Sequence, residues 1–102
     1  MRRVSGALIG LTVVGGLAAG CGPIEYSAVV LGAHEAVAEA EVAGAEELAP
    51  YEYTYAIEHL RKAREEVGQA DYQGAVDMAR LAREYARKAR EIAVQHRREE
   101  GR

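Results

Sequence analysis

The residues that could carry chemistry are few in this 102-residue chain. It has one cysteine, Cys21, and three histidines, at positions 34, 59 and 96. A single thiol excludes an intramolecular disulfide and a four-cysteine zinc site. No two histidines share a helical turn, and the residue three places before each is Leu or Ala, not the Glu that di-iron carboxylate bundles require. We therefore expect no metal site and no cofactor.

Nucleophilic hydroxyl groups are equally scarce. Beyond residue 20 the only serine and threonine are Ser27 and Thr54, and neither lies within one helical turn of a histidine. A hydrolase triad therefore has little support. The formal net charge of −3 offers no basic excess for nucleic acid. We expect a protein that is not an enzyme and has no nucleic-acid partner.

The N-terminus has the three parts of a cleavable secretory signal. Arg2 and Arg3 precede an uncharged run, residues 4–20, that ends in small residues. An uncleaved membrane helix is the alternative, since 17 uncharged residues reach the lower limit for spanning a bilayer. Four glycines inside the run weaken such a helix, each by roughly 1 kcal/mol relative to alanine. The sequence thus predicts a signal peptide over residues 1–20.

The run Leu17-Ala18-Ala19-Gly20-Cys21 resembles the lipobox of bacterial lipoproteins. The resemblance implies cleavage between Gly20 and Cys21, with diacylglycerol on the thiol and an N-acyl chain (for example palmitate) on the new N-terminus. Ala18 departs from the commonest pattern, which has leucine there. By resemblance to enterobacterial sorting rules, Gly22 after the cysteine implies the outer membrane. Three acyl chains would make the attachment effectively permanent, at about 0.8 kcal/mol per buried CH₂.

The remainder is predicted to be all-α, a helix followed by an αα-hairpin in a small antiparallel three-helix bundle. Residues 21–23 would form a lipidated tether, and residues 24–98 would form the domain. Its helices are predicted at about 24–48, 51–68 and 72–97. Residues 99–102 would form a charged tail. Pro50 suits the first turn of the second helix, and Asp71 is the predicted N-cap of the third. Each predicted helix carries one apolar stripe at steps of three and four. The stripes are Tyr26, Val30, Ala33, Val37, Ala40, Gly44 and Leu48 in the first; Tyr53, Ala56, Ile57, Leu60, Ala63, Val67 and Ala70 in the second; and Ala75, Met78, Ala79, Ala82, Tyr85, Ala86, Ala89, Ile92 and Ala93 in the third.

Charge is divided unevenly between these helices. Residues 21–60 contain eight acidic side chains and no Lys or Arg, whereas residues 61–102 contain eleven basic and eight acidic ones. Complementarity between the first helix and the following hairpin explains this pattern. A basic face for an acidic partner or for lipid headgroups is the alternative.

Tyr51, Tyr55 and His59 recur at steps of four along the second helix, with Lys62 beside them. We call these four residues the tyrosine strip. One interpretation is that the first helix packs over the strip, since tyrosine is commonly buried where Phe and Trp are absent. The other is an exposed surface for a protein partner or a glycan, because tyrosine is enriched at such contacts.

The run Leu48-Ala49-Pro50-Tyr51-Glu52-Tyr53, with the Lys62-Ala63-Arg64-Glu65-Glu66 segment, resembles an uncharacterised family, a domain of unknown function found in short Ala-rich bacterial envelope lipoproteins. The resemblance spans roughly residues 28–93, and no catalytic residue is known for the family. The segment around Gly68, Asp71-Tyr72, Ala75 and Ala82 is also similar to one tetratricopeptide hairpin. One repeat is too few for a solenoid.

Together these features predict a non-catalytic outer-membrane lipoprotein, a structural or interaction module facing the periplasm. Its partners would be the membrane through the lipid, and an envelope protein or a second copy through the alanine seams. A glycan- or peptidoglycan-binding lipoprotein that uses the tyrosine strip is the alternative.

Overall fold

The computed structural model describes residues 21–101, with side chains from residue 23 onward. The predicted signal peptide, residues 1–20, lies outside the described residues, and so do its cleavage residue Gly20 and the Cys21 side chain. Four helices and no strand occupy the described range: α1 Cys21–Val42, α2 Ala45–Leu48, α3 Pro50–Gly68 and α4 Tyr72–Glu100. The all-α prediction is confirmed for this part of the chain.

Three helix boundaries differ from the sequence prediction. α1 begins at Cys21, so residues 21–23 form its first turn, where Pro23 is tolerated, and not a separate tether. α1 ends at Val42 instead of 48, because Gly44 adopts a left-handed conformation with φ 84° before α2 begins. α4 continues to Glu100, so the predicted charged tail, 99–102, begins inside a helix. No helix in the described range is both long enough and apolar enough to cross a bilayer.

α4 is the helix against which the others assemble. α1 and α3 both pack along it, whereas they barely touch each other. Fourteen of the seventeen buried apolar side chains among the described residues are alanines, the exceptions being Val37, Leu60 and Val76. Small side chains let helix axes approach closely. On α4 they recur at steps of four and three, and we call this row the alanine seam: Ala75, Ala79, Ala82, Ala86, Ala89 and Ala93.

Two ion pairs show how α1 runs along α4. Arg80 Nη2 lies 3.0 Å from Glu25 Oε1, and Arg90 Nε lies 3.9 Å from Glu39 Oε2. From the first pair to the second, the residue number increases on both helices, so α1 and α4 are parallel. α3 is antiparallel to α4 across the short turn at residues 69–71. The pairs agree with the predicted complementarity between the acidic first helix and the basic hairpin. Exposed pairs contribute at most about 1 kcal/mol each, so the seam dominates the packing.

The turn between α3 and α4 combines a predicted cap with an unexpected conformation. Asp71 Oδ1 accepts a hydrogen bond from the Gly74 backbone N–H at 2.9 Å, which confirms Asp71 as the N-cap of α4. The left-handed residue of this turn is Ala70, with φ 60°, although a glycine lies two positions earlier. Gly68 instead forms the last residue of α3, with no atom within 4 Å of the position that a Cβ would occupy.

The seam predicts that enlarging one of its residues destabilises the fold. Ala86 is completely buried, so Ala86→Leu should lower the free energy of unfolding by about 1–3 kcal/mol through overpacking. Urea unfolding followed by circular dichroism measures this. Gln95→Leu, an exposed position on the same helix, is the matched control and should stay within about 0.5 kcal/mol of the parent. Equal stability of the two variants would contradict the seam.

The turn predicts an opposite, stabilising effect at Ala70. Ala70→Gly should raise the free energy of unfolding by about 0.5–1 kcal/mol, since it relieves left-handed strain at a smaller cost in chain entropy. The same unfolding experiment measures it. Gly68→Ala should also stabilise, by about 0.5 kcal/mol, because that residue is helical. A loss of stability in Ala70→Gly would refute this description of the turn.

Candidate functional site

The structure places the two groups of predicted site residues at different parts of the domain. Cys21 is the first residue of α1. The tyrosine strip lies on α3, the helix that follows the break at residues 43–49. The predicted lipidation residue Cys21 and the tyrosine strip are therefore two separate features.

Three rings from two helices form a continuous stack at the α3–α4 boundary. The Tyr55 ring centroid lies 3.8 Å from that of His59, with 16° between the planes, and 3.8 Å from that of Tyr85 on α4, at 28°. Two rings this close to the same ring and nearly parallel to it must occupy its opposite faces. Tyr51 extends the row in a tilted arrangement, with its centroid 6.3 Å from Tyr55.

Hydrogen bonding fixes the orientation of the histidine in this stack. His59 Nδ1 lies 2.9 Å from the Tyr55 backbone oxygen. A carbonyl oxygen can only accept, so Nδ1 donates this hydrogen bond, which holds the imidazole ring in place beside Tyr55.

A lysine from α4 completes the surface. Lys88 Nζ lies 4.6 Å from the Tyr85 ring centroid, within the range of a cation–π contact, and 3.3 Å from Glu84 Oε1. Lys62, which the sequence analysis placed in the strip, is exposed and makes no ion pair or ring contact with the other described side chains. The cation beside the rings is thus Lys88.

The interpretation that the first helix covers the strip is wrong for its rings. Their partner is α4 through Tyr85, and Tyr51 remains 69% exposed. Tyr55 and His59 are half-buried. Tyr85, predicted in the apolar stripe of the third helix, packs against the buried residues as expected and also belongs to this surface, which was not expected. The signal in the sequence was the three-residue spacing between Tyr85 and Lys88, which places the two side chains on one face of α4.

The described surface also contains open grooves. One lies where α1 and α3 meet and is lined by His34, Val37, Ile57, Leu60, Arg61 and Arg64. Arg64 Nη2 lies 3.3 Å from His34 Nε2 across it. A hydrogen bond and ion pair with Glu58 raise the pKa of Arg61. In residues 21–101 no group of three or more His, Cys, Asp or Glu side chains is placed to hold a metal ion.

One tyrosine of α3 packs toward the interior. Tyr53 is half-buried and packs against the buried residues of α1, α3 and α4. Burial raises the pKa of Tyr53, and the nearby carboxylates of Glu41 and Glu46 raise it further. Tyr53 therefore stays protonated at neutral pH and anchors the start of α3, which fixes the position of Tyr51 and Tyr55 on the other face.

Comparison with known proteins gives one positive result. A family model described as a domain of unknown function (DUF4398) matches residues 30–102. The chain belongs to this family. That confirms the expected membership of an uncharacterised family, while the bacterial lipoprotein character remains a prediction. No curated protein and no solved structure matches the chain.

The DUF4398 match covers the whole of the tyrosine strip and the alanine seam, but not Cys21. The family description assigns no reaction, ligand or partner. The family match alone therefore does not identify the function of the tyrosine strip or of Cys21.

Proposed function

We propose that this DUF4398 protein is a bacterial outer-membrane lipoprotein whose helical domain is a non-catalytic structural or interaction module facing the periplasm. The observation that carries the proposal is the position of the only thiol of the chain. Cys21 follows an uncharged run that ends in Ala19-Gly20 and stands at the start of the helical domain. A thiol at this junction is where diacylglycerol attachment would leave the whole domain outside the bilayer.

The composition of the described surface supports a binding role over a chemical one. Its exposed groups include ion-paired charges, such as Arg61 with Glu58 and Arg80 with Glu25, and aromatic rings. The grooves are open and lined by charged side chains. Such surfaces recognise another macromolecule and do not enclose a small substrate.

Lipidation of Cys21 is tested directly by labelling. The full-length chain expressed in a bacterial host should incorporate a palmitate label and fractionate with the outer membrane, because acyl chains attached at Cys21 hold it there. Cys21→Ser should lose both the label and the fractionation.

The matched control moves the thiol six residues along the same helix. In a Cys21→Ser, Ser27→Cys variant, the thiol lies at an exposed position of α1 outside the lipobox-like run. This variant should also remain unlabelled. Mass spectrometry that finds an unmodified thiol on an uncleaved wild-type chain would overturn the proposal.

A second candidate function, glycan or peptidoglycan binding, is favoured by the ring geometry. Tyr51 presents a largely exposed ring at the end of the stack, and Tyr55, His59 and Tyr85 hold a rigid platform beside it. Flat rings stack on the apolar C–H face of a sugar, while the tyrosine hydroxyls and Lys88 can bond its oxygens. Amphipathic rings of this kind are typical binding anchors.

Sedimentation with purified sacculi tests this candidate. Tyr51→Ala should lower the sacculus affinity about fivefold, as expected for the loss of one stacked ring worth about 1 kcal/mol. Tyr51 is the informative position because Tyr55 also packs against Tyr85, so its removal would disturb the fold. Thr54→Ala, exposed on the same helix, should leave binding unchanged. Wild-type protein that stays in the supernatant would exclude the candidate.

A further inference from the structure

The side of α1 that faces away from α4 is unexpectedly apolar. Apolar residues recur there at steps of four and three, interrupted by one glutamate, and all of them are exposed. We call this row the outer stripe: Ile24, Ala28, Leu31, Glu35, Ala38 and Val42. Its large side chains are among the most exposed in the described range, with Ile24 at 72%, Leu31 at 60% and Val42 at 81%.

The outer stripe is a second apolar face of α1 and not the edge of the face that packs on α4. At about 100° per residue it lies opposite the buried row of Ala33, Val37 and Ala40 that packs on α4. A surface helix normally has polar residues on this side, and a helix that is apolar on both sides is usually covered on both. No other described element lies over the stripe.

Charge argues against a bilayer as the occupant. The charged side chains of α1 are all acidic, at positions 25, 35, 39 and 41, and it contains no Lys or Arg. Helices that lie on a membrane surface are rich in Lys and Arg, because the lipid headgroups are anionic. The occupant should be a protein surface that supplies basic side chains.

A second copy of this chain meets that requirement through Arg83 of its α4, although its α1 has no Lys or Arg. In an antiparallel pairing of two α1 helices, Ile24 lies opposite Val42 and Ala28 opposite Ala38, large against large and small against small. Leu31 then lies opposite Glu35 of the other copy. Next to Leu31, the Arg83 side chain lies along Gly32, with its Cδ and Nη1 3.7 Å from where a glycine Cβ would be. The register therefore brings each Glu35 close to Arg83 of the other copy.

We propose that the outer stripe is the interface of a two-fold symmetric dimer, in which the α1 helices pair antiparallel and Glu35 of each copy pairs with Arg83 of the other. The stripe spans about 27 Å of helix, so the buried area is at the low end of the range for specific interfaces. The dimer is therefore weak and concentration-dependent. The alanine seams, predicted as the route to self-association, are occupied by α4 within one chain. The outer stripe is therefore the surface proposed for self-association in their place.

Disulfide trapping in the full-length chain tests both the dimer and its register. An Ala28→Cys, Ala38→Cys double variant, oxidised with copper phenanthroline in intact cells, should form a covalent dimer well above the wild-type background from Cys21. Either single variant should stay at that background, because identical positions would lie about 15 Å apart, beyond disulfide reach. Both sites are exposed on α1, so the substitutions leave the core intact.

The matched controls separate specific pairing from collision. A Gln73→Cys, Gln95→Cys variant carries two equally exposed thiols on α4 and should not crosslink above background. Adding Leu31→Asn to the double variant should abolish the dimer band, with helicity by circular dichroism unchanged. A dimer from Ala28→Cys alone would indicate a parallel register and overturn the proposal. So would absence of any dimer from the double variant.

Charge reversal tests the predicted pair. In the Ala28→Cys, Ala38→Cys background, Glu35→Arg or Arg83→Glu alone should weaken crosslinking, and the two together should restore it. Failure of the combined variant to recover would exclude this contact. The inference rests on the proposed function only in treating the domain as an interaction module. Crosslinking does not require lipid on Cys21, so its failure and the failure of palmitate labelling are distinguishable outcomes.

Discussion

The close contact of small side chains along α4 is the constraint on which the rest of the structure depends. α1 and α3 are each positioned by α4 and hardly by each other. Their buried contact residues are almost all alanine, with Val37, Leu60 and Val76 as the larger exceptions. Alanine buries little area per residue, so the helices hold together only if they approach closely over their whole length. One enlarged side chain in the seam would separate the helices along several turns.

This arrangement determines which surfaces remain for binding. Because α4 uses its alanine seam for both neighbours, α1 and α3 are left with outward faces that nothing in the described part of the chain covers. On the α3 side, Tyr55, His59 and Tyr85 form a rigid platform across the helix boundary. On the α1 side, the outer stripe presents Ile24, Leu31 and Val42. These two surfaces are the ones that the proposed interaction module would use.

The sequence predicted the fold where local chemistry determines it. Asp71 caps α4 because its carboxylate is the right length to reach the Gly74 N–H. Pro50 begins α3, as its fixed φ and missing N–H require. The alanine spacing located the seam on α4. These features depend only on neighbouring residues, so they are visible without the tertiary structure.

What the sequence missed depends on how the helices meet. The break at Gly44 was hidden because Ala40, Gly44 and Leu48 keep a step of four through it, so the pattern shows no interruption. Ile57 was expected in the core, but it is 37% exposed and lines the open groove where α1 and α3 meet. The site was predicted in part: Tyr51, Tyr55 and His59 do line up, while Tyr85 and Lys88 come from α4 and could be placed only once the helix pairing was known.

Hydrogen exchange of the backbone amides, followed by mass spectrometry, tests the central claim that α4 is the scaffold. Amides that open only on global unfolding exchange slowest. If α1 and α3 are held by α4, peptides from residues 75–93 should be the most protected in the domain, with α1 and α3 peptides exchanging earlier. Faster exchange in residues 75–93 than in either neighbouring helix would contradict the account.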